Sequence, residues 1–392
     1  MKILYHHRTA SKDGQAVHIE EMIQSLRELG HEVVVVAPGQ GDPASGHAGS
    51  MGGEVSWVQR LRAALPKAVY ELMELAYSWV AYRRLLKAAK DFKPDLLYER
   101  YNLFLLSGLM LKRKTGIPML LEVNAPLAAE RERHGGGLGL PRLARWAEAT
   151  VWRGADRVLP VTQVLAGHLR AVGVPDERIV VIPNGINEAH FAQAPTSADA
   201  KAKLGWPGAL VLGFTGFVRD WHGMDLVIRW MASPAAPSQA RLLLVGDGPA
   251  RSDLESLAAG LKLGDRVRFT GVIDRHAVPE HVAAFDIALQ PAVVAYASPL
   301  KLFEYLALSK AVLAPSTPNI CEILDQERNA LLFDPGEQGA FERALQRLAT
   351  DSGLRDRLGL AAQLTIRERD LTWLGNAKRV VALAQFLKGV PQ

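Results

Sequence analysis

KILYHHRTASKDGQAVHIEEMIQSLRELGHEVVVV, residues 2–36, reads as a strand, a loop, a helix and a second strand. Residues 3–5 form a short apolar run. Residues 7–16 are polar and include Gly14. Ile19, Met22, Ile23 and Leu26 then recur at helical spacing, which places one apolar stripe along a helix. Gly30 stops that helix. Residues 33–36 are four valines in a row, the pattern of a parallel strand buried on both faces. The stretch is therefore a βαβ unit whose Gly14 loop precedes a helix N-terminus.

Strands continue at residues 96–98 and 119–123, and the same grammar restarts near residue 208. Residues 210–214 read as a strand, 216–223 as a loop, 224–231 as a helix and 241–245 as a strand. The last is closed by Gly246-Asp247-Gly248-Pro249. Further strands are expected at 267–269, 287–289, 311–314 and 330–333, with helices between them. Two separate series imply an α/β fold of two Rossmann-like, doubly wound domains. The length of 392 residues suits two domains. Residues 183–200 have loop composition, so the first domain is expected over 1–187 and the second over 188–370.

Composition narrows the function classes. A hydrophobic fraction of 48% lets the chain bury large cores, so disorder is not the default reading. The 46 basic and 41 acidic residues leave a net charge of +5, too mild an excess to argue for a nucleic-acid partner. Cys321 is the single cysteine, so no intrachain disulfide can form, and a reducing, cytoplasmic compartment fits. The apolar run at residues 3–5 is too short for a signal peptide, and that at 103–111 is too short to span a bilayer.

The segment richest in chemistry is Ser298-Pro299-Leu300-Lys301-Leu302-Phe303-Glu304-Tyr305-Leu306-Ala307. It follows a strand and a loop, opens a helix, and leads to another strand. A helix N-terminus at the carboxyl end of a parallel sheet offers free N–H groups and a positive dipole end, which suits a diphosphate. Glu304 sits about one turn into the helix. Its carboxylate either accepts both hydroxyls of a ribose or simply complements the dipole while facing solvent.

This segment resembles the donor-binding motif of the family 4 retaining glycosyltransferases, two-domain enzymes of the GT-B type. The likeness extends along the chain: Val181-Ile182-Pro183-Asn184-Gly185-Ile186 resembles the lead into the second domain. Phe214-Thr215-Gly216 and His222-Gly223-Met224-Asp225 resemble its first phosphate-facing loop, and Leu244-Val245-Gly246-Asp247-Gly248-Pro249 the next strand end. Gly14 and His18 fit the N-terminal glycine loop, and Gly30-His31-Glu32-Val33 the turn into strand two. The resemblance implies sugar transfer from a nucleoside-diphosphate sugar, a co-substrate rather than a cofactor, with the last helix (371–392) returning to the first domain. It implies donor contacts from Gly14, Gly216, Arg219, His222, Gly246, Ile273, Ser298, Pro299, Leu300, Lys301 and Glu304.

The sequence departs from the family pattern at three places. Tyr296 stands where the first of two carboxylates is usual, Phe217 where an arginine is, and His222 where a lysine is. Arg219 and Lys301 are the cations expected to stabilise the leaving diphosphate. Residues 119–123 place Asn124 at a strand's carboxyl end, where open α/β sheets bind ligands. Asn124 occupies a position where the family commonly has histidine. An amide there can bind a sugar hydroxyl or shape the turn before Pro126. Glu122 and Asn124, with Glu99 and Arg100 after residues 96–98, form the acceptor-side candidates. The Glu99–Arg100 pair either lines the cleft or is a surface ion pair.

No Asp-x-Asp, His-Glu-x-x-His, Gly-x-Ser-x-Gly or Walker A pattern occurs, and no metal site is expected. Residues 57–93 mix Trp57, Leu61, Leu65, Leu72, Met73, Trp79 and Tyr82 with Arg60, Arg62, Lys67, Arg83, Arg84, Lys87 and Lys90. Such a segment suits either packing in the first domain or peripheral contact with an anionic membrane face. The sequence thus points to a metal-independent hexosyltransferase acting on a glycan, lipid-linked or small-molecule acceptor. A sugar-nucleotide 2-epimerase of the same fold and a non-catalytic nucleotide-sugar binder are the alternatives.

Overall fold

The computed structural model describes residues 1–9, 14–38, 65–134 and 136–389. Trp57, Arg60, Leu61 and Arg62 of the basic, aromatic segment lie outside them. The chain forms two compact units, one of Met1–Pro183 with Trp373–Gln392, the other of Asn184–Thr372.

In chain order, the first unit contains β1 (Lys2–His6), α1 (Gly14–Glu28), β2 (Glu32–Val36), α2 (Lys67–Phe92), β3 (Leu96–Arg100) and α3 (Ser107–Thr115). β4 (Met119–Val123), α4 (Leu127–His134), α5 (Pro141–Gly154), β5 (Arg157–Pro160) and α6 (Gln163–Ala171) follow. Its sheet is parallel throughout, in the order β2-β1-β3-β4-β5. Every residue of β3 and β4 is buried, because helices cover both faces of such a sheet. Gly14 is the first residue of α1 rather than part of a loop.

Glu99 and Arg100 require a correction. They do not follow a strand ending at Tyr98 but are its last two residues. They are 1% and 6% exposed, which rules out a surface ion pair. Two charged residues ending an apolar run look like the start of a loop. Here they are buried because each meets a partner on a neighbouring element.

The helix Trp373–Leu387 belongs to the first unit. Trp373 lies edge-on to His18 of α1, with ring centres 4.7 Å apart, and Asn376 donates to the Pro183 carbonyl at 2.7 Å. Near the chain's end, Lys388 pairs with Asp95 at 2.5 Å.

The second unit contains α7 (Glu188–Phe191), α8 (Ser197–Lys203), β6 (Leu210–Thr215), α9 (Met224–Ala232), β7 (Ala240–Val245), α10 (Arg251–Gly260), β8 (Val267–Phe269) and α11 (Val278–Ala283). β9 (Ile287–Leu289), α12 (Leu300–Ala307), β10 (Ala311–Pro315), α13 (Pro318–Cys321), β11 (Leu331–Phe333), α14 (Ala340–Thr350) and α15 (Ser352–Glu368) complete it. Its sheet is also parallel, in the order β11-β10-β9-β6-β7-β8. Apolar clusters fill both of its faces, one including Phe214, Leu242 and Leu313, the other Leu243, Phe303 and Val312.

Candidate functional site

In the second unit β6 lies between β7 and β9. The chain leaves β6 on one side and returns by β9 on the other, a topological switch point at which open α/β sheets bind ligands. Thr215 ends β6, and the loop after β9 leads into α12. Gly216 and Gly246, directly after β6 and β7, have φ of +114° and +130°. A Cβ on Gly246 would lie 2.2 Å from the Gly216 carbonyl oxygen, so only glycine allows the two backbones to approach. The approach is fixed by hydrogen bonds from Gly216 N–H to Val245 O (2.8 Å) and from Val218 N–H to Asp247 O (2.9 Å).

The loop into α12 is held from both sides. Asn319 donates to the carbonyls of Val294 (3.2 Å) and Ala297 (2.7 Å). Asn184 donates its side-chain amide to Ser298 O (2.6 Å) and its backbone N–H to Ser298 Oγ (3.3 Å). Pro299 caps α12 without a side-chain hydrogen bond to the first turn, and Pro299, Leu300 and Lys301 are all half-buried there. The N-terminal dipole end therefore has no side-chain oxygen on it.

Lys301 projects from this turn with Nζ 3.6 Å from the ring centre of Phe214, and a Cβ on Gly216 would lie 3.4 Å from that ammonium. Burial pushes Lys301 down to about 7, against the pull of Glu304. Glu304 is half-buried rather than solvent-facing and takes a hydrogen bond from Thr215 Oγ at 3.3 Å. Burial raises its carboxyl above the ordinary value, while Thr215, Lys301 and Arg275 oppose the rise. The neighbouring Tyr305 hydroxyl accepts the Thr215 N–H at 2.9 Å, tying the helix to the strand end.

The loop after β6 carries Arg219 and His222. Arg219 is exposed, with its guanidinium 4.9 Å from the Phe217 ring centre. His222 is 7% exposed and takes the Arg219 backbone N–H on Nδ1 at 3.1 Å. Burial, Lys301 and Arg219 together push its imidazole down to about 3. The segment after β8 reaches the same corner through a bridge between Gly271 and Gly246, and Ile273 packs half-buried against the core beside it. The predicted residues of this unit thus gather around one strand-end corner. Thr215, Arg275, Asn184 and Asn319 also belong to the corner or its support. Thr215 and Asn184 fall inside the family-like segments without being singled out, and Arg275 and Asn319 carry no local sequence signal.

In the first unit Glu122 near the end of β4 is a hub. It accepts from Tyr98 Oη (2.7 Å), Asn124 Nδ2 (2.5 Å) and the Arg100 guanidinium, and it lies 2.8 Å from His18 Nε2. Burial works against its charge, but His18 and Arg100 hold the carboxyl well below the usual carboxylate range. Glu99 turns instead to His6, at 2.5 Å from Nδ1. The structure therefore joins Arg100, Glu122 and Asn124 but places Glu99 in a separate pair. Asn124 gives its side-chain N–H to Glu122. Sequence reasoning missed Glu148, a buried carboxyl that accepts from Tyr101 Oη and the Ala128 N–H, each at 3.2 Å. Burial pushes it up to about 7.

Two family models match. Residues 13–185 fit the Glycosyl transferase 4-like domain, and residues 209–351 fit Glycosyl transferases group 1. A 2-deoxystreptamine glucosyltransferase of Streptomyces kanamyceticus is 27% identical over 315 residues, which cover 75% of this chain and 79% of that one. Sucrose-phosphate synthase of Thermosynechococcus elongatus superposes with a TM-score of 0.79 at 19% identity, covering 100% of both chains. Anabaena HepE in complex with UDP gives 0.76 at 17% identity, covering 98% of this chain and 99% of that one.

Proposed function

Because the chain belongs to the family 4 type of two-domain GT-B glycosyltransferases, we propose that it moves a hexose from a nucleoside-diphosphate sugar to a small hydroxyl-bearing acceptor, with retention at the anomeric carbon. One observation carries this reading. The uncapped start of α12, the Lys301 ammonium and the paired glycine backbones meet at one strand end, with Glu304 one turn further on. A diphosphate suits the first three groups, and a ribose suits the carboxylate. As the glycosidic bond breaks, negative charge gathers on the diphosphate. Helix N–H groups, Lys301 and Arg219 are the groups to stabilise it, without a divalent metal.

The first unit then takes the acceptor. Glu122 fixes the Asn124 amide so that its oxygen receives an acceptor hydroxyl. A small polyol or sugar acceptor is favoured by the kinship with the 2-deoxystreptamine glucosyltransferase. A membrane-held acceptor is the second reading. It is favoured by exposed Leu72, Met73, Trp79 and Val80 on α2, which share that helix with exposed Arg83, Arg84 and Lys87.

The test is a panel of nucleoside-diphosphate sugars, each incubated with and without candidate acceptors. Acceptor-dependent glycoside of unchanged anomeric configuration is expected. Sugar epimerised in the absence of acceptor supports an epimerase, and no turnover with tight nucleotide binding supports a non-catalytic binder.

A further inference from the structure

The carboxyl ends of β1 and β2 frame a cavity with about 210 Å³ of empty space, lined by His6, His7 and Arg8 after β1 and by Tyr77 and Arg84 of α2. Side chains alternate along a strand. His6 and its register partner Glu99 therefore lie on one face of the sheet, and Tyr98 and Arg100, which meet Glu122, on the other. With His6 and α2 as its walls, the cavity is separate from the Glu122 cluster. Its lining is cationic. Arg8 lies 3.3 Å from Glu74, with its guanidinium 5.2 Å from the Tyr77 ring centre, and Arg84 donates to Tyr77 Oη at 3.4 Å. Glu74 also pairs with Arg131, so one carboxylate serves two guanidiniums. Glu99 is held by His6, and among the described residues no carboxylate lines the cavity. His7 is neutral there, because burial and the nearby His6 and Arg100 push it down to about 4. Its buried Nδ1 has no hydrogen-bond partner among the described residues. A buried polar atom left unpaired is costly unless a ligand or water supplies the partner.

We propose that this cavity is a binding site for a phosphate group, held by Arg8 and Arg84 and hydrogen-bonded by His7. Guanidinium forks match such an oxyanion in geometry as well as in charge. Val36, Pro38 and the Tyr77 ring give the cavity an apolar edge for a short carbon stem. The site belongs to the first unit and does not depend on the donor reading. Its phosphate comes from a dissolved compound or from a lipid headgroup, since Arg84 shares α2 with exposed Leu72 and Trp79. The chemistry of the site is the same for both sources.

The substitutions R8Q and R84Q remove the two cavity charges. R83Q removes the same charge one residue away, outside the cavity. Arg84 is exposed, and Glu74 keeps Arg131 when Arg8 is lost, so each variant should keep the wild-type melting transition. Inorganic phosphate is titrated by calorimetry at constant ionic strength, and phosphatidylcholine vesicles with and without phosphatidic acid are tested by flotation. Binding of free phosphate is expected, weakened about tenfold or more in R8Q and R84Q and little changed in R83Q. Loss of recovery with phosphatidic acid vesicles in R8Q and R84Q beyond that in R83Q, without binding of free phosphate, assigns the same site to a lipid headgroup. K301A, in the second unit, should bind phosphate like the wild type. Binding lost in K301A but kept in R84Q, binding weakened as much by R83Q as by R84Q, or wild type that takes neither probe overturns the inference.

Discussion

Lys301 holds its ammonium 3.6 Å from the ring centre of Phe214, close to Gly216 and one turn from Glu304. Burial lowers its pKa to about 7, so this side chain is cationic below that value and neutral above it. An anionic diphosphate binds the protonated form, so affinity should fall as pH rises from 7, approaching tenfold per unit. K301R should abolish the slope, because a guanidinium stays charged. Stability of the empty protein runs the other way. Between about 7 and 10.4 the unfolded chain holds more protons on this residue, so its contribution to stability rises with pH. Calorimetry with the preferred nucleoside diphosphate across this range is the measurement.

Glu304 accepts one side-chain hydrogen bond among the described residues, from Thr215 Oγ at 3.3 Å. That leaves its carboxylate available to ribose hydroxyls. E304A should weaken nucleoside-diphosphate binding by roughly 1.5–3 kcal/mol, the usual worth of a hydrogen bond to a charged group. The melting transition should move little, since Tyr305 independently ties α12 to β6. Equal affinity of E304A and wild type in titration calorimetry contradicts the assignment.

Glu148 gives the first unit a pH-dependent element. Its folded pKa of about 7 lies above the unfolded value near 4.3. Between these values the folded protein holds more protons, so this group's contribution is full below pH 4.3 and is lost as pH rises through 7. E148Q keeps the acceptor for Tyr101 and Ala128 but does not titrate. Its denaturation midpoint should therefore change less than that of the wild type between pH 5 and 8.

Periodicity alone located most strands of both sheets, and it put Asn124 after β4. It also marked the helix carrying Lys301 and Glu304. β5 was missed, because Arg157-Val158-Leu159-Pro160 is short and bounded by residues that seldom mark a strand. Glu99 and Arg100 were placed beyond their strand for a related reason. A charged pair is buried only when partners such as His6 and Glu122 are brought beside it, and the order β1-β3-β4 does that. The same holds for Thr215, which meets Glu304 across 89 positions. Spacing reports the faces of one element; it carries no record of which distant side chain will oppose them.

The α2 surface bears on where the acceptor is found. Trp79 is 58% exposed and Leu72 51% exposed, on the helix that carries Arg83, Arg84 and Lys87. No helix among the described residues is long and apolar enough to cross a membrane. A surface contact of this kind should recover the protein with anionic vesicles at low salt and release it at high salt, as charge attraction is screened. Glutamate at Arg83, Arg84 and Lys87 should reduce recovery without changing the melting transition. Equal recovery with neutral and anionic vesicles contradicts a charge-driven contact and favours a freely diffusing acceptor.

The central claim is that the corner built by Gly216, Gly246, Lys301 and Glu304 binds a nucleoside-diphosphate sugar for transfer. Its most direct test is a donor-and-acceptor assay, run with a chelator and followed by nuclear magnetic resonance of the anomeric proton. The account predicts acceptor-dependent release of nucleoside diphosphate, retained configuration and unchanged rate in the chelator. Activity lost in the chelator and restored by magnesium or manganese would contradict the metal-free leaving-group account, and an inverted product would contradict retention.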